Sequence, residues 1–176
     1  LETDAVISFS DSFEDYLPVV FTRWEGTECY NYSPLIYAEN CEDISITGSG
    51  TLAGNGQAWW GWKDIQQSAA EELCYAQYRG IPVEDRVYGT EEAALRPSFV
   101  QTINCRNVLL EDFTITDGPQ WTLHPVYCEE VIIRNVKVFT HGPNTDGLNP
   151  DSCRNVLIEN CTFDTGDDCI AVNSGI

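Results

Sequence analysis

The chain has 176 residues, of which 43% are apolar, so it is long enough for a domain with a hydrophobic core. Asp and Glu number 28 against 9 Lys and Arg, which gives a net charge of -19. This charge opposes binding to nucleic acid or to an anionic membrane surface, and no apolar run reaches the roughly 18 residues of a membrane span. We therefore expect neither nucleic acid nor a membrane as a partner.

The first half of the chain predicts one repeat unit and an insertion. A unit that recurs later begins at Cys41, with the sequence CEDISITGSGTL. Residues 58–96 follow, a polar and helix-compatible stretch that starts with Trp59, Trp60 and Trp62. We interpret residues 58–96 as a partly helical insertion. Its tryptophans are either sugar-stacking platforms or part of the packing under the insertion.

Three stronger copies of the unit follow, beginning at Cys105, Cys128 and Cys153, so the period is about one coil of 23 to 25 residues. Within each copy the apolar residues fall at positions i, i+2, i+5 and i+7. These positions are Val108, Leu110, Phe113 and Ile115; Val131, Ile133, Val136 and Val138; Val156, Ile158, Cys161 and Phe163. Because strand side chains alternate with period two, the odd step predicts a polar corner between two short strands that both face inward.

Units of this kind bury their apolar faces only by stacking on one another. The sequence therefore predicts an all-β fold, a right-handed parallel β-helix that forms a single domain over residues 1–176. Equivalent residues of successive coils would lie about 4.8 Å apart, so Cys105, Cys128 and Cys153 should form a ladder. We expect most of the eight cysteines to be buried free thiols.

Carboxylates are concentrated in residues 142–151 and 164–175. Asp146 and Asp167 are 21 residues apart, nearly one coil, which predicts neighbouring positions on one face of the solenoid. Carboxylates held close together raise the pKa of one of them, which supplies a proton donor beside an ionised neighbour. Glycoside hydrolysis requires that combination. We interpret Asp151 and Asp164 as ordinary turn residues that face solvent.

The motifs Asn-Thr-Asp-Gly at residues 144–147 and Gly-Asp-Asp-Cys at residues 166–169 resemble glycoside hydrolase family 28, the polygalacturonases and related pectin hydrolases. The resemblance extends from about residue 30 to the end of the chain. It implies inverting hydrolysis of α-1,4-galacturonosyl linkages, with Asp167 as general acid and Asp146 and Asp168 as the residues that activate water.

Further candidates for substrate contacts are Asn144, Trp121 and His124, although His124 could equally be a packed or surface histidine. In the family pattern a His-Gly pair and an Arg-x-Lys follow the second motif, and neither follows Cys169 here. We therefore expect the 176 residues to be the N-terminal portion of a longer enzyme, inactive alone and completed by the rest of its chain. The basic residues Arg96, Arg134 and Lys137 are interpreted as solvated surface groups.

The expected partner is an acidic plant polysaccharide or oligogalacturonide, and neither a cofactor nor a metal is expected. Two alternatives remain at this stage. A non-catalytic β-helix for adhesion or carbohydrate binding would bind without turnover, and a calcium-dependent pectate lyase would use the acids as metal ligands. We expect a secreted or periplasmic protein, with the cytoplasm as the alternative because the chain carries no signal peptide.

Overall fold

The computed structural model describes residues 1–174, which form mostly short strands. In chain order the elements are β1 (Val6–Ser8), β2 (Val20–Trp24), β3 (Thr27–Asn31), β4 (Ile36–Glu39), β5 (Glu42–Thr47), β6 (Thr51–Ala53), α1 (Gln57–Trp60), α2 (Gln67–Tyr78), β7 (Val100–Ile103), β8 (Arg106–Glu111), β9 (Thr114–Thr116), β10 (Leu123–Val126), β11 (Glu129–Arg134), β12 (Lys137–Thr140), β13 (Arg154–Glu159) and β14 (Thr162–Thr165). Short 3₁₀ helices cover Phe13–Tyr16, Gly61–Asp64 and Val83–Asp85.

The strands form three parallel sheets and one antiparallel hairpin. Sheet 1 has the order β1-β6-β9-β12-β14, sheet 2 the order β4-β7-β10, and sheet 3 the order β5-β8-β11-β13. Successive strands enter sheets 2, 3 and 1 in turn, so β4–β6, β7–β9 and β10–β12 are three stacked coils. Residues 148–151 bridge to β10 and begin a fourth coil, which β13 and β14 complete. This is the parallel β-helix that the repeats predicted, with three strands in each coil.

The register of sheet 3 confirms the alignment of the repeats. Val131 pairs with Val108 on one side and with Val156 on the other. Phe113 and Val136, the equivalent residues after the corner, are both fully buried. The odd spacing of the apolar residues therefore marks a real corner, and the inward-facing residues of successive coils form one continuous core.

The corners between sheets 3 and 1 depend on residues that tolerate left-handed backbone. Asp112, Asn135 and Asn160 occupy equivalent positions with φ of 72°, 55° and 55°. Asn and Asp adopt this conformation more readily than other non-glycine residues. The Asn135 amide also donates a hydrogen bond of 2.8 Å to the Asp112 carboxylate on the preceding coil. The polar corner residues of the repeats are thus explained by backbone geometry and by bonds between coils.

All eight cysteines lie among the described residues and all are free thiols. Three of them, Cys29, Cys105 and Cys128, are buried, four are half-buried, and Cys169 is exposed. The expectation of free thiols is confirmed, whereas the expectation that most of them are buried is wrong, because three of the eight are buried. The Cys153 and Cys161 side chains belong to the fourth coil, where the apolar residues are only partly covered.

The tryptophans at the start of the insertion have different environments. Trp59 is fully buried and Trp62 nearly so, in a cluster with Tyr16 and Tyr32. Trp60 is half-buried, and its indole N–H donates to the Gly118 carbonyl at 3.0 Å. Packing therefore accounts for Trp59 and Trp62. The longest helix among residues 1–174 is α2, with 12 residues, and no helix there is long and apolar enough to cross a membrane.

A hairpin that the sequence analysis missed, β2–β3, packs on the outer side of sheet 2, where Tyr37 and Gln101 donate hydrogen bonds to its backbone. Its Arg23 is buried and forms an ion pair of 3.0 Å with Asp151, while the Trp24 indole donates to the Arg96 carbonyl at 3.0 Å. Asp151 has 0% exposure. The interpretation of Asp151 as a solvent-facing turn residue is therefore wrong, because the hairpin covers it and supplies its counter-ion.

Candidate active site

The candidate catalytic residues lie where the chain passes from sheet 1 back to sheet 2. Successive coils make this passage at residues 117–122, 141–147 and 166–169, which we call the three site turns. Because the coils stack, the site turns lie side by side along one edge of the solenoid. The middle site turn carries Asp146, and the last carries Asp167 and Asp168.

The bridges between the coils fix which residues of the site turns lie level with one another. Leu148 bridges to Ile170, and the Gly147 N–H donates to the Asp168 carbonyl at 2.9 Å. Counting back from this bridge, Asp146 is level with Asp168 and not with Asp167. Asp146 and Asp167 thus lie on neighbouring coils, as their spacing of nearly one coil predicted, and the coil at this point has 22 residues.

The residue of the middle site turn that contacts Asp167 is Asn144. The Asn144 side-chain amide donates to Asp167 Oδ2 at 3.2 Å, and the backbone N–H of Asp168 donates to Asp167 Oδ1 at 3.0 Å. Asp167 and Asp168 are themselves exposed. Two donors thus fix the orientation of an accessible carboxyl group, as a group that transfers a proton requires.

Asp146 has a contrasting environment, with only 5% exposure. The Asn149 amide donates to its Oδ2 at 2.8 Å. Burial raises the pKa of Asp146 to about 6, and the charges of Asp167 and Asp168 raise it further against the opposing effect of the Asn149 bond. Asp146 therefore retains a proton at a pH where an isolated carboxyl group has lost its proton.

The other residues of the two motifs shape the site turns. The buried Thr145 hydroxyl donates to the Gly142 carbonyl at 2.7 Å and so closes the middle site turn. A Cβ atom at Gly147 would lie 2.4 Å from the Phe163 ring, and one at Gly166 would lie 2.2 Å from the Gly142 carbonyl oxygen. Both glycines are required because neighbouring coils approach closely where the carboxyl groups meet.

Trp121 and His124 lie near the site with their ring centroids 4.9 Å apart, but they differ in exposure. Leu123 bridges to Leu148, so Trp121 lies level with Asp146, one coil before it. The Trp121 side chain is half-buried. His124 has 1% exposure, and burial lowers its pKa. Its Nδ1 lies 2.7 Å from the Gln101 amide nitrogen, and its Nε2 points toward Asp151 at 3.8 Å. His124 therefore contacts the polar layer under the hairpin and not the solvent.

The three basic residues considered from the sequence, Arg96, Arg134 and Lys137, also differ in burial. Arg134 lies half-exposed at a corner and forms ion pairs with Glu111 and Glu159, and Lys137 is exposed. Arg96 is fully buried, so its interpretation as a solvated surface group is wrong. The reason is that its guanidinium group is surrounded by acceptor oxygens of the insertion and of two site turns, which the sequence separates widely.

Three residues beside the site were not identified from the sequence. The buried Gln120 donates its amide to Glu25 at 3.0 Å, at the tip of the β2–β3 hairpin. Burial raises the pKa of Glu25, the positive charges of Lys63 and Arg96 lower it, and the negative charge of Asp167 raises it. Glu25 and Lys63 thus lie close enough to the site to interact electrostatically with its charged groups. No sequence pattern connects them to it, because folding alone brings hairpin and insertion there.

Among residues 1–174, no group of three or more His, Cys, Asp or Glu side chains is arranged to hold a metal ion.

Comparison with known proteins agrees with this architecture. The model of glycosyl hydrolases family 28 matches residues 85–176. A probable polygalacturonase of Vitis vinifera is 31% identical over 99% of this chain and 32% of its own length. The crystal structure of a hyperthermoactive exopolygalacturonase from Thermotoga maritima is 48% identical, with a TM-score of 0.95 over 99% of this chain and 42% of the other.

The chain belongs to glycosyl hydrolases family 28. It spans only about a third to two fifths of the length of these relatives. A polygalacturonase from Erwinia carotovora, at 19% identity and a TM-score of 0.66, shares the fold. The resemblance drawn from the two motifs and the expected right-handed parallel β-helix are both confirmed.

Proposed function

We propose that the protein hydrolyses α-1,4-galacturonosyl linkages of pectic polymers, with Asp146, Asp167 and Asp168 as its catalytic residues. The observation that carries the proposal is the meeting of three carboxyl groups on two adjacent site turns, where the pKa of Asp146 is raised to about 6. Membership of family 28 supports the reaction class. Relatives named polygalacturonase support the substrate class.

In this proposal Asp167 donates a proton to the glycosidic oxygen as the bond from that oxygen to the anomeric carbon breaks. Asp146 and Asp168 take the proton of a water molecule whose oxygen bonds to the anomeric carbon from the opposite face, with inversion. The two bonds donated to Asp167 support its role, since they aim an exposed carboxyl group. Asn144 and Trp121, both half-buried beside the acids, are the proposed substrate contacts.

The roles can be separated by leaving group. Replacing a proton donor slows substrates with poor leaving groups most, because good leaving groups need little protonation. We expect Asp167→Asn to lose about 10²–10⁴-fold in kcat on trigalacturonate, but far less on an aryl galacturonide. The Asp146→Asn variant should be slowed similarly on both. The opposite pattern would exchange the roles of the two residues.

An acidic chain that binds an anionic substrate needs a local cation. We propose Lys63 for this role, because it is exposed and its charge acts on Glu25 at the edge of the site. Arg96 is unsuited to it, since its guanidinium group is buried. A Lys63→Gln variant should raise KM for polygalacturonate several-fold with little change in kcat, because a uniform binding contact is lost.

We further propose attack at chain ends. The hairpin tip with Glu25 and the insertion lie at one end of the row of site turns, next to Gln120. A cleft closed at one end accepts a terminal segment and not the middle of a polymer. The name exopolygalacturonase of the 48% identical protein also supports this. Reducing ends should then appear while the viscosity of polygalacturonate falls slowly, whereas a rapid fall in viscosity would contradict terminal attack.

The main experiment incubates the protein, as it occurs naturally, with polygalacturonate. Hydrolysis predicts reducing ends, no unsaturated ultraviolet-absorbing product, and full activity in the presence of a chelator. Unsaturated products lost on chelation would favour the lyase, and binding without new reducing ends would favour the non-catalytic β-helix.

Because pectic polymers are outside the cells that digest them, we propose a secreted or periplasmic location.

A further inference from the structure

Arg96 directly precedes the second coil, and its guanidinium group joins three parts of the chain. Its Nε donates to Gln66 Oε1 in the insertion at 3.0 Å, and its Nη1 donates to the carbonyls of Pro119 at 3.1 Å and Pro143 at 2.7 Å. Its Nη2 donates to Asn144 Oδ1 at 2.9 Å. The whole side chain is buried.

The charge of Arg96 is unusual for a buried group. Within residues 1–174 it forms no ion pair shorter than 4 Å, and neutral oxygens alone satisfy its donors. Burial lowers its pKa to about 10, and the negative charge of Glu25 opposes this effect without a direct ion pair, so Arg96 remains positive at neutral pH. A buried cation without a close counter-ion costs folding free energy, and such costs are characteristic of functional positions.

The contact with Asn144 has a directional consequence. A side-chain amide has an acceptor end and a donor end, and the two can exchange by rotation of the amide. A guanidinium group has only donors, so the oxygen of Asn144 must face Arg96. The amide nitrogen is thereby turned toward Asp167, where it lies 3.2 Å from Oδ2. Arg96 thus determines which end of the amide faces the carboxyl group.

We infer that Arg96 is a positioning residue that orients Asp167 through the side chain of Asn144. The inference rests on the proposed hydrolytic function and names a residue that need not touch the substrate. Without Arg96, the Asn144 amide can rotate and present its oxygen to Asp167, where it repels the ionised carboxyl group and competes for the proton of the protonated one. The carboxyl group then loses one of its two donors and the orientation that proton transfer requires.

The test is a double-mutant cycle in the naturally occurring protein, measured on polygalacturonate. Arg96→Lys keeps the charge but not the planar set of donors. Asn144→Gly removes the amide and tolerates the positive φ of 53° at this position. We expect each single change to lower kcat by roughly 10–100-fold, because small misplacements of reacting groups have effects of this size. KM should change much less in Arg96→Lys, whereas Asn144→Gly also removes a proposed substrate contact and should raise KM as well.

The decisive result is the double variant. If Arg96 acts through Asn144, Arg96→Lys should add almost nothing in the Asn144→Gly background. If the kcat losses of the two single variants multiply in the double variant, the inference is overturned. An unchanged kcat in Asn144→Gly would also overturn it, and this result can be obtained even if Arg96→Lys fails to fold. A wild-type protein that hydrolyses nothing would instead refute the proposed function, and the inference with it.

Arg86→Lys is the matched control. Arg86 is also a buried arginine, and it donates to the Ile81 carbonyl at 2.7 and 2.9 Å, away from the site turns. This variant should lower the melting temperature while kcat is retained. A comparable loss of kcat in Arg86→Lys would show that any disturbed buried arginine impairs the site, and would contradict a specific role for Arg96.

Discussion

The interior of the coils and the three site turns differ in how their side chains recur from coil to coil. In the interior each coil repeats the chemistry of the one before, so Val108, Val131 and Val156 stack in register. Along the site turns a Gly-Pro pair recurs at residues 118–119 and 142–143, but the side chains that stand level beside the site, Trp121, Asp146 and Asp168, differ from coil to coil. Stacking makes repetition favourable for apolar residues and for Asn amides, but unfavourable for carboxylates. Stability therefore lies in the repeats and the proposed chemistry in the departures from them.

The largest effect is expected at Asp146, where the two regions meet. Asp146→Asn should lower kcat by about 10²–10⁴-fold, because a proton acceptor is removed. Activity of the wild type should rise as the pH rises through about 6, where Asp146 becomes ionised. The pH dependence of kcat/KM and the variant's kcat check this expectation. Equal activity of Asp146→Asn and the control Asp112→Asn would contradict it.

The same variant should gain stability. Because burial raises the folded-state pKa of Asp146 from 3.8 to about 6, the folded state binds more protons between these values. Stability is therefore lost as the pH rises through this window, and the cost persists above it. Asp146→Asn should be more stable at pH 8 by about 1–2 kcal/mol, with little gain at pH 3. Equal gains in urea unfolding at both pH values would contradict the electrostatic explanation.

Truncating a large side chain in the interior should lower stability without changing catalysis. Phe113 is fully buried at the first position after a corner, and Phe113→Ala should cost about 3–5 kcal/mol of unfolding free energy. The kcat of the folded protein should stay near that of the wild type. Phe139→Ala, on an outward-facing position with 36% exposure, is the control and should cost far less. Similar costs for both would refute the assignment of the inner and outer faces.

A smaller effect is expected at the corners. Asn135→Ala loses the bond to Asp112 and places alanine at φ 55°, for a cost of about 1–2 kcal/mol. Asn135→Gly loses the same bond but not the backbone preference, so it should cost less. Denaturant unfolding of the pair separates the two contributions. An alanine variant as stable as the glycine variant would show that backbone conformation is unimportant here.

The smallest effect is expected at Glu25, where like charge faces the site. Glu25→Gln keeps an acceptor for the Gln120 amide but removes the negative charge near Asp167. We expect kcat/KM for polygalacturonate to rise roughly 2–5-fold at low salt, and the gain to disappear at high salt. Glu84→Gln, an exposed control on the Val83–Asp85 helix, should change little. A gain that persists at high salt would contradict the electrostatic interpretation.

The sequence predicted whatever the repeats encode. Corner spacing predicted the inner face, and the distance between Asp146 and Asp167 predicted that the two site turns would be neighbours. The exact register, in which Asp146 lies level with Asp168, could not be predicted because coil lengths vary where turns replace strands. Arg96 and Asp151 were assigned to the surface because charged residues usually lie there. Their burial depends on the hairpin and insertion, whose contacts join residues far apart in the chain.

The most direct test of the central claim compares the wild type with Asp167→Asn on polygalacturonate. Asp167 is exposed, so the substitution should leave the melting temperature nearly unchanged. The account predicts that the wild type releases reducing ends and that the variant does so at least about 100-fold more slowly. Equal rates for the two proteins, or release by neither, would contradict the claim that these site turns form a hydrolytic centre.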